Sequence, residues 1–335
     1  MTTKATPDRI LQFAWGYAPT LIIASAVKHR LFDALNAGPR TVDDLAQETG
    51  TSLRGLSAIS NALVGLEFLR KDGDRYSLGP EAAAFLVSTR PAFLGPLFQH
   101  MTAQILPSWS GLDETVRTGK PSKAINGQAQ GANFFAEFVE ALFPMSYPAA
   151  RALGEHLDVS QATKTVSVLD LAAGSGVWGL ALAQQSTHVH VTAVDWPEVL
   201  EVTRRVAQKL GLASRLTAVP GDILKADFGR GHQVATLGHI LHSEGRDKSQ
   251  ELLKRTFASL ASGGTIAVAE FVANDERTGP PAAMIFAVNM AVNTENGDTF
   301  TLPEIRAWLR QAGFVDVRQF DSGAGPSPLI LATKP

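Results

Sequence analysis

The chain has 335 residues, a formal net charge of −2 at pH 7 and no cysteine. This length allows two domains with separate cores. Without cysteine, disulfides, thiolate catalysis and zinc–thiolate centres are excluded, and the small net charge provides no global field to attract nucleic acid or an acidic membrane.

The N-terminus, residues 1–5, lacks the basic-then-apolar order of a secretory signal. The apolar run around Pro19 to Val27 is shorter than the roughly 20 residues that a bilayer span requires. We therefore expect a cytoplasmic protein without a membrane segment.

Residues 1–100 are predicted to form a mainly helical domain. The segment Ile10–Asn36 is apolar nearly all round, which indicates burial on more than one face, either inside the domain or against a second chain; we favour a homodimer. Thr41 and Thr51-Ser52 each precede a segment of helical periodicity, and 68–78 has the pattern of a hairpin with Asp72-Gly73 in its turn. Helices followed by a hairpin indicate a winged helix-turn-helix.

Winged helices often bind DNA, but this one has few groups for contacting phosphates. Its predicted recognition helix carries one basic residue, Arg54, and the basic residues of the wing alternate with Asp72 and Asp74. Because phosphate neutralisation dominates DNA affinity, we predict dimer packing and no nucleic-acid binding.

Residues 101–160 are predicted to be connecting helices that contribute to a substrate pocket. The stretch Gly119–Gly131 is polar and glycine-rich, which is typical of a loop. An aromatic-rich stripe follows it, in which Phe138 and Met145 are candidate walls of the pocket, although such a stripe can equally be core.

Residues 161–335 alternate between strand and helix patterns, which predicts a doubly wound parallel sheet of the Rossmann-like α/β class. The predicted strands are 166–171, 189–195, 216–219, 233–237, 265–271, 315–320 and 329–333, and the predicted helices are about 176–185, 198–211, 247–261 and 303–312. Ligands of such sheets bind at the carboxyl ends of the strands.

Three acids lie at such strand ends: Asp170 before the glycines Gly174 and Gly176, then Asp195, then Asp222. The glycines also satisfy the G-x-G-x-x-G pattern of dinucleotide sites. A carboxylate at 170 would repel a pyrophosphate, whereas it suits the amino group of a methionine moiety. Asp195 suits a ribose diol and Asp222 the exocyclic amine of adenine. The set favours S-adenosylmethionine over NAD.

His242 follows the fourth strand of this domain and is the candidate general base, because imidazole can take a proton from a hydroxyl near neutral pH. A single loop histidine is often structural, and His239 is only three residues away. The segment Pro280–Asn293 is a candidate substrate wall, through Met284, Phe286, Asn289, Met290 and Asn293; an ordinary amphipathic helix is the alternative. Apolar residues with a few amides suit a flat aromatic acceptor.

Together these motifs resemble the caffeate-type small-molecule O-methyltransferases, including their bacterial relatives, over nearly the whole chain. The family's glycine motif matches Asp170–Gly176, its second-strand signature matches Asp195–Val199, and its closing motif matches 312–314. The resemblance implies a winged-helix dimerisation domain, a class I methyltransferase domain and S-adenosylmethionine, with S-adenosylhomocysteine as the product. It places cofactor contacts also at Trp196 and Ile223, the catalytic base at His242 and an orienting acid at Glu270.

The chain departs from this family around the histidine. Ser243-Glu244 replaces the usual Asp-Trp, Thr299 stands near the position of a second flanking glutamate, and Gly238 replaces a polar residue. We predict O-methylation of an aromatic or polycyclic small molecule without a metal. C-methylation of a pigment-like ring, or a non-catalytic ligand sensor with the same fold, remain alternatives.

Overall fold

The chain divides into two compact units, Met1–Pro107 and Ser108–Pro335. The computed structural model describes residues 5–125, 128–324 and 327–335, so most of the N-terminal stretch 1–5 lies outside the described residues. Residues 126 and 127 of the predicted loop Gly119–Gly131 also lie outside. That prediction was wrong at its end, because a long helix begins at Gln128.

The first unit is mainly helical with a small antiparallel sheet in the order β1-β3-β2. Its elements are α1 (Asp8–Ala14), α2 (Ala18–Lys28), α3 (Leu31–Ala34), β1 (Arg40–Thr41), α4 (Val42–Thr49), α5 (Leu53–Gly65), β2 (Leu69–Asp72), β3 (Arg75–Leu78), α6 (Pro80–Phe85) and α7 (Gly95–His100), after which a π-helical turn at Met101–Ile105 leads into α8 (Leu106–Trp109).

The local signals of this unit act largely as predicted. The hydroxyl of Thr41 accepts the amide of Asp44, and that of Ser52 accepts the amide of Gly55, each at 3.2 Å. Both are N-caps that satisfy otherwise unpaired helix amides. The hairpin turn is shifted by one residue from the prediction: Asp72 pairs with Arg75, so residues 73–74 form the turn.

The N-terminal apolar segment is not one buried helix. It breaks between α1 and α2, and α1 buries none of its residues. Ile10 is 76% exposed, Phe13 71% and Trp15 69%. Asp8–Lys28 is longer than the run Pro19–Val27, and by length and composition alone it meets the criterion for a membrane span. Soluble core helices and signal sequences meet the same criterion, so it is weak evidence for a membrane.

The second unit is an α/β domain around a seven-stranded sheet. Its elements are α9 (Leu112–Thr118), α10 (Gln128–His156), β4 (Val166–Leu171), α11 (Val177–Ala183), β5 (Val189–Asp195), α12 (Pro197–Lys209), β6 (Leu216–Pro220), β7 (His232–Gly238), α13 (Leu241–Ser259), β8 (Leu260–Ala269), β9 (Val272–Ala273), α14 (Pro281–Asn293), β10 (Phe300–Thr301), α15 (Leu302–Ala312), β11 (Val315–Phe320) and β12 (Leu329–Thr333).

The sheet order is β11-β12-β8-β7-β4-β5-β6, and β12 runs antiparallel to both of its neighbours. Alternate residues of the strands face opposite layers. Val168 belongs to a core shared with α10, α11 and α12, whereas Leu169 belongs to one shared with α13 and α15. This burial on both faces explains the continuous apolar strands.

The strand order changes direction at β4, where β7 lies on one side and β5 on the other. A cleft therefore forms beyond the carboxyl end of β4. The glycine turn, Asp195 and the segment after β7 all belong to this edge, as the sequence predicts.

One helix differs in a way that matters for the site. A helix was predicted at 247–261, with His242 in a loop before it. Instead α13 begins at Leu241 and breaks at Gly245, whose φ of 78° and ψ of 176° are not helical. His242 therefore lies in a separate first turn, directly after the end of β7.

Candidate active site

The glycine turn after β4 is held by contacts from two other elements. The amide of Gly174 donates to Oδ2 of Asp195 at 2.8 Å, and the hydroxyl of Thr203 donates to the carbonyl of Gly174 at 2.7 Å. Gly174 and Gly176 have φ of 57° and 76°. Glycine adopts these angles without strain, and a Cβ at 176 would collide with Thr203 and Leu180.

Asp170 is fully buried and uses both carboxylate oxygens inside the protein. Oδ1 accepts the hydroxyl of Thr236 at 2.7 Å, and Oδ2 accepts the amide of Gly179 at 3.0 Å. Gly179 lies in the first turn of α11, where a carboxylate is favourable. Both carboxylate oxygens of Asp170 thus bond within the protein, one to β7 and one to α11.

Asp195 lies at the end of β5 and is half-buried. Its Oδ1 accepts the amide of Trp196 at 2.7 Å, while Oδ2 holds the glycine turn. The side chain of Trp196 packs against α10, with its ring centroid 6.0 Å from that of Phe135. Asp195 therefore links two of the backbone segments that border the cleft.

Asp222 follows Gly221, whose amide donates to the carbonyl of Asp195 at 2.9 Å. Its Oδ1 accepts the amide of Leu224 at 2.8 Å, and Oδ2 lies 3.4 Å from Nζ of the exposed Lys225. Ile223 is buried beside it. The three predicted acids thus lie at the ends of β4 and β5 and just after β6, and β4, β5 and β6 are adjacent strands.

The two deeper acids carry an electrostatic cost. Burial, with a smaller contribution from the nearby Asp195, raises the pKa of Asp170 to about 7 against the hydrogen bonds from Thr236 and Gly179. Burial likewise raises the pKa of Asp195 to about 6. Among the described residues neither acid pairs with a lysine or arginine. A ligand with positive charge would offset this cost. S-adenosylmethionine carries a sulfonium and an ammonium group, so the acids and the glycine turn fit it.

The predicted catalytic pair is formed. Nδ1 of His242 lies 2.9 Å from Oε2 and 3.1 Å from Oε1 of Glu270. Both are buried, at 8% and 1% exposure. An ionised carboxylate only accepts hydrogen bonds, so it places the ring proton on Nδ1 and leaves a lone pair on Nε2. This tautomer can accept a proton from a hydroxyl.

Aromatic rings surround this pair. The rings of His242 and Phe286 meet edge to face with centroids 4.9 Å apart, and Phe271 lies 4.2 Å from Phe286 and 6.0 Å from His242. Phe286 connects α14 to the catalytic pair. Phe271 was not predicted as a site residue, although its position next to Glu270 was a usable signal.

The predicted substrate residues fall into two groups. Phe138 and Met145 are half-buried on α10, and Met284 and Asn289 are half-buried on α14. Met290 and Asn293 are almost fully buried, at 4% and 1% exposure, so their side chains form part of the helix packing. Oδ1 of Asn289 accepts Nε1–H of Trp109 at 2.8 Å and Nδ2–H of Asn293 at 3.1 Å.

Two departures from the resembled family have structural explanations. The indole of Trp178 lies over Gly238, so any side chain at 238 would collide with it. Thr299 is fully buried, and its hydroxyl has no hydrogen-bond partner among the described residues. Among the described residues, Glu270 is the acid that hydrogen-bonds His242.

The comparisons with known proteins identify the family of the chain. The O-methyltransferase domain model matches residues 109–315, and the O-methyltransferase dimerisation domain model matches residues 11–88. The chain therefore belongs to the O-methyltransferase family. It is an S-adenosylmethionine-dependent O-methyltransferase with a class I α/β fold, as the sequence motifs predicted.

Two relatives have named activities. The 3-hydroxy-5-methyl-1-naphthoate 3-O-methyltransferase of Streptomyces sahachiroi is 29% identical over 93% of this chain and 90% of its own. The tetracenomycin polyketide synthesis 8-O-methyl transferase of Streptomyces glaucescens is 27% identical over 98% and 97%. A crystal structure of a candidate O-methyltransferase from Nostoc punctiforme superimposes with a TM-score of 0.90 at 26% identity, covering 99% of this chain and all of the other.

Proposed function

We propose that this enzyme methylates a hydroxyl group of an aromatic or polycyclic small molecule, with His242 as the general base. The observation that carries the proposal is the buried pair of His242 and Glu270, which directs the unprotonated Nε2 away from the carboxylate. A positioned base of this kind contributes about 10²–10⁴-fold to the rate.

Glu270 has two effects in this mechanism. It fixes the tautomer of His242, and its negative charge stabilises the imidazolium that forms when Nε2 takes the hydroxyl proton. Phe286 and Phe271 exclude water from the pair, which strengthens this attraction. The remaining rate enhancement comes from holding the hydroxyl oxygen in line with its target.

S-adenosylmethionine, when bound, supplies an electrophilic methyl group. We propose that Gly174 and Gly176 provide close backbone approach, that Asp195 and Trp196 hold the ribose, and that Asp222 and Ile223 border the adenine. Asp170 contributes negative charge from beneath the turn.

The acceptor class is inferred from the pocket residues and the relatives. Phe138, Met145 and Met284 are apolar and incompletely buried, and Asn289 adds an amide, a combination that suits a flat ring with polar substituents. The two named relatives act on a hydroxynaphthoate and in tetracenomycin polyketide synthesis. We therefore propose a fused aromatic ring as the acceptor.

We also propose a homodimer formed by the first unit, without nucleic acid or membrane as partners, and a cytoplasmic location. The dimerisation-domain match and the exposed apolar side chains of α1 support the dimer. Continuous apolar exposure of this kind marks an interaction surface. Light scattering after gel filtration should give twice the chain mass, and Phe13→Glu should shift the mass toward the monomer.

Two measurements test the reaction. Isothermal titration should show binding of S-adenosylhomocysteine to the folded protein; no binding would overturn the cofactor assignment. With binding established, mass spectrometry and NMR on a panel of naphthols should identify a methyl ether. A methyl group on carbon would instead favour the C-methyltransferase alternative, and binding without any transfer would favour a sensor.

A further inference from the structure

A second imidazole lies beside the catalytic pair. His239 directly follows Gly238, the last residue of β7, and its amide still donates to the carbonyl of Ala269 at 2.9 Å. Its φ is 62°, which residues other than glycine rarely adopt. Strained backbone of this kind is concentrated at functional sites, where the surrounding structure maintains it.

The ring of His239 is enclosed on several sides. Its centroid lies 6.2 Å from that of Trp178, 5.2 Å from Phe271 and 6.5 Å from His242. Nε2 lies 3.0 Å from the hydroxyl oxygen of Ser327, which is itself buried. Nδ1 has no hydrogen-bond partner among the described residues, and His239 as a whole is half-buried, not fully enclosed.

The two histidines differ in charge behaviour. Burial lowers the pKa of His239 to about 4; Glu270 opposes this shift, and the neighbouring His242 contributes to it. His239 therefore stays neutral at physiological pH. Among the described residues no carboxylate hydrogen-bonds His239, so the ring is suited to hydrogen bonding and unsuited to taking a proton.

We propose that His239 is a specificity-determining residue whose Nδ1 hydrogen-bonds an oxygen substituent next to the methylated hydroxyl. This inference rests on the proposed function. Ser327 holds the ring of His239 through Nε2, and His242 hydrogen-bonds the reacting oxygen. Two imidazoles this close can each bind one of two oxygens on the same ring. The preferred acceptors are then aromatic rings with neighbouring oxygens.

Substitutions at His239 and Ser327 separate the imidazole from the group that orients it. His239→Gly removes the imidazole while glycine accepts the backbone angle. His239→Asn also tolerates positive φ and keeps a polar atom near the place of Nδ1. Ser327→Ala keeps the imidazole but removes the group that orients it. His188→Asn, at an exposed position of the same unit, is the matched control. Binding of S-adenosylhomocysteine to each variant reports folding and cofactor binding separately.

The test compares 2,3-dihydroxynaphthalene with 2-naphthol. For the wild type and the His188 control we expect kcat/KM to favour the diol by about tenfold, mainly through KM, as one added hydrogen bond allows. In His239→Gly the preference should fall to about twofold or less, in Ser327→Ala to an intermediate value, and in His239→Asn it should largely persist.

The proposal is overturned if His239→Gly keeps the preference. Two further outcomes would overturn it, provided that the wild type binds S-adenosylhomocysteine. One is equal kcat/KM for the diol and 2-naphthol, and the other is no methylation of either compound. Absent cofactor binding would instead refute the proposed function.

Discussion

The hydroxyl of Thr236 donates a hydrogen bond to Oδ1 of Asp170 across 2.7 Å, and the two residues are direct partners in the register of β7 and β4. This contact joins the neighbouring strand to the acid beneath the glycine turn. Because Asp170 is fully buried, the contact and the amide of Gly179 are the interactions that favour its ionised form against the effect of burial.

Replacing Thr236 by valine should therefore destabilise the protein. The substitution keeps the shape but leaves a buried carboxylate oxygen without a donor, which costs about 1–3 kcal/mol. Urea unfolding followed by circular dichroism measures the change. Thr217→Val is the matched control, because Thr217 is exposed on β6, and it should change the free energy of unfolding by less than about 0.5 kcal/mol. Equal effects at the two sites would contradict the role of the hydroxyl.

The ligand-free protein should lose stability as pH rises from 5 to 8. The folded-state pKa of Asp170 is about 7 against an ordinary value of 3.8, so the folded state binds the proton more tightly than the unfolded state. Stability from this group is complete below about pH 4 and is lost as pH rises through 7. Between pH 5 and 8 the loss amounts to about 2–3 kcal/mol.

Thermal unfolding across this pH range, with Asp170→Asn as the comparison, checks the expectation. The asparagine variant cannot ionise at this position, so its melting temperature should fall less steeply with pH. Saturating S-adenosylmethionine should flatten the wild-type profile as well, because a cationic ligand favours the ionised acids. Parallel profiles for the wild type and Asp170→Asn would exclude Asp170 as the titrating group.

Several features of the site could be predicted from local sequence. The glycines, the acids at strand ends and His242 with Glu270 follow from short motifs, and the parallel strands follow from continuous apolar runs. The partners of the acids could not be predicted in this way. Thr236 reaches Asp170 only because β7 and β4 pair in one particular register, and this pairing spans 66 residues of chain.

The environment of His242 also depends on tertiary structure. Position 245, where α13 breaks, requires glycine because its φ is 78° and a Cβ there would collide with the backbone of Asn296, a contact that helical periodicity does not reveal. Trp178 packs on Gly238 for a similar reason, as the first turn of α11 meets the end of β7. Such contacts arise from packing between distant segments, whereas sequence patterns report neighbours along the chain.

Glu270→Gln separates the two effects of the acid on His242. Glutamine can accept Nδ1–H and preserve the tautomer, but it lacks the charge that stabilises the imidazolium. We expect kcat to fall about 10–100-fold, with KM nearly unchanged, whereas His242→Ala should lower kcat by about 10²–10⁴-fold. Initial rates with a confirmed hydroxyl acceptor measure both. Wild-type turnover in His242→Ala would refute its role as the base.

Gly238→Ala tests the packing at the end of β7. The new methyl group would occupy the place of the Trp178 indole, and displacement of a buried aromatic ring should destabilise the protein by about 1–3 kcal/mol. Gly65→Ala in α5 is the control, because no atom outside its own local helix lies within 4 Å of a Cβ there and alanine favours helix. It should be neutral or slightly stabilising.

Tryptophan emission should shift in Gly238→Ala, since Trp178 would gain solvent exposure. Because the same indole lies next to His239, the variant should also lower acceptor affinity while leaving S-adenosylhomocysteine binding within about twofold. Unchanged emission and unchanged acceptor KM would show that the indole does not shape this side of the pocket.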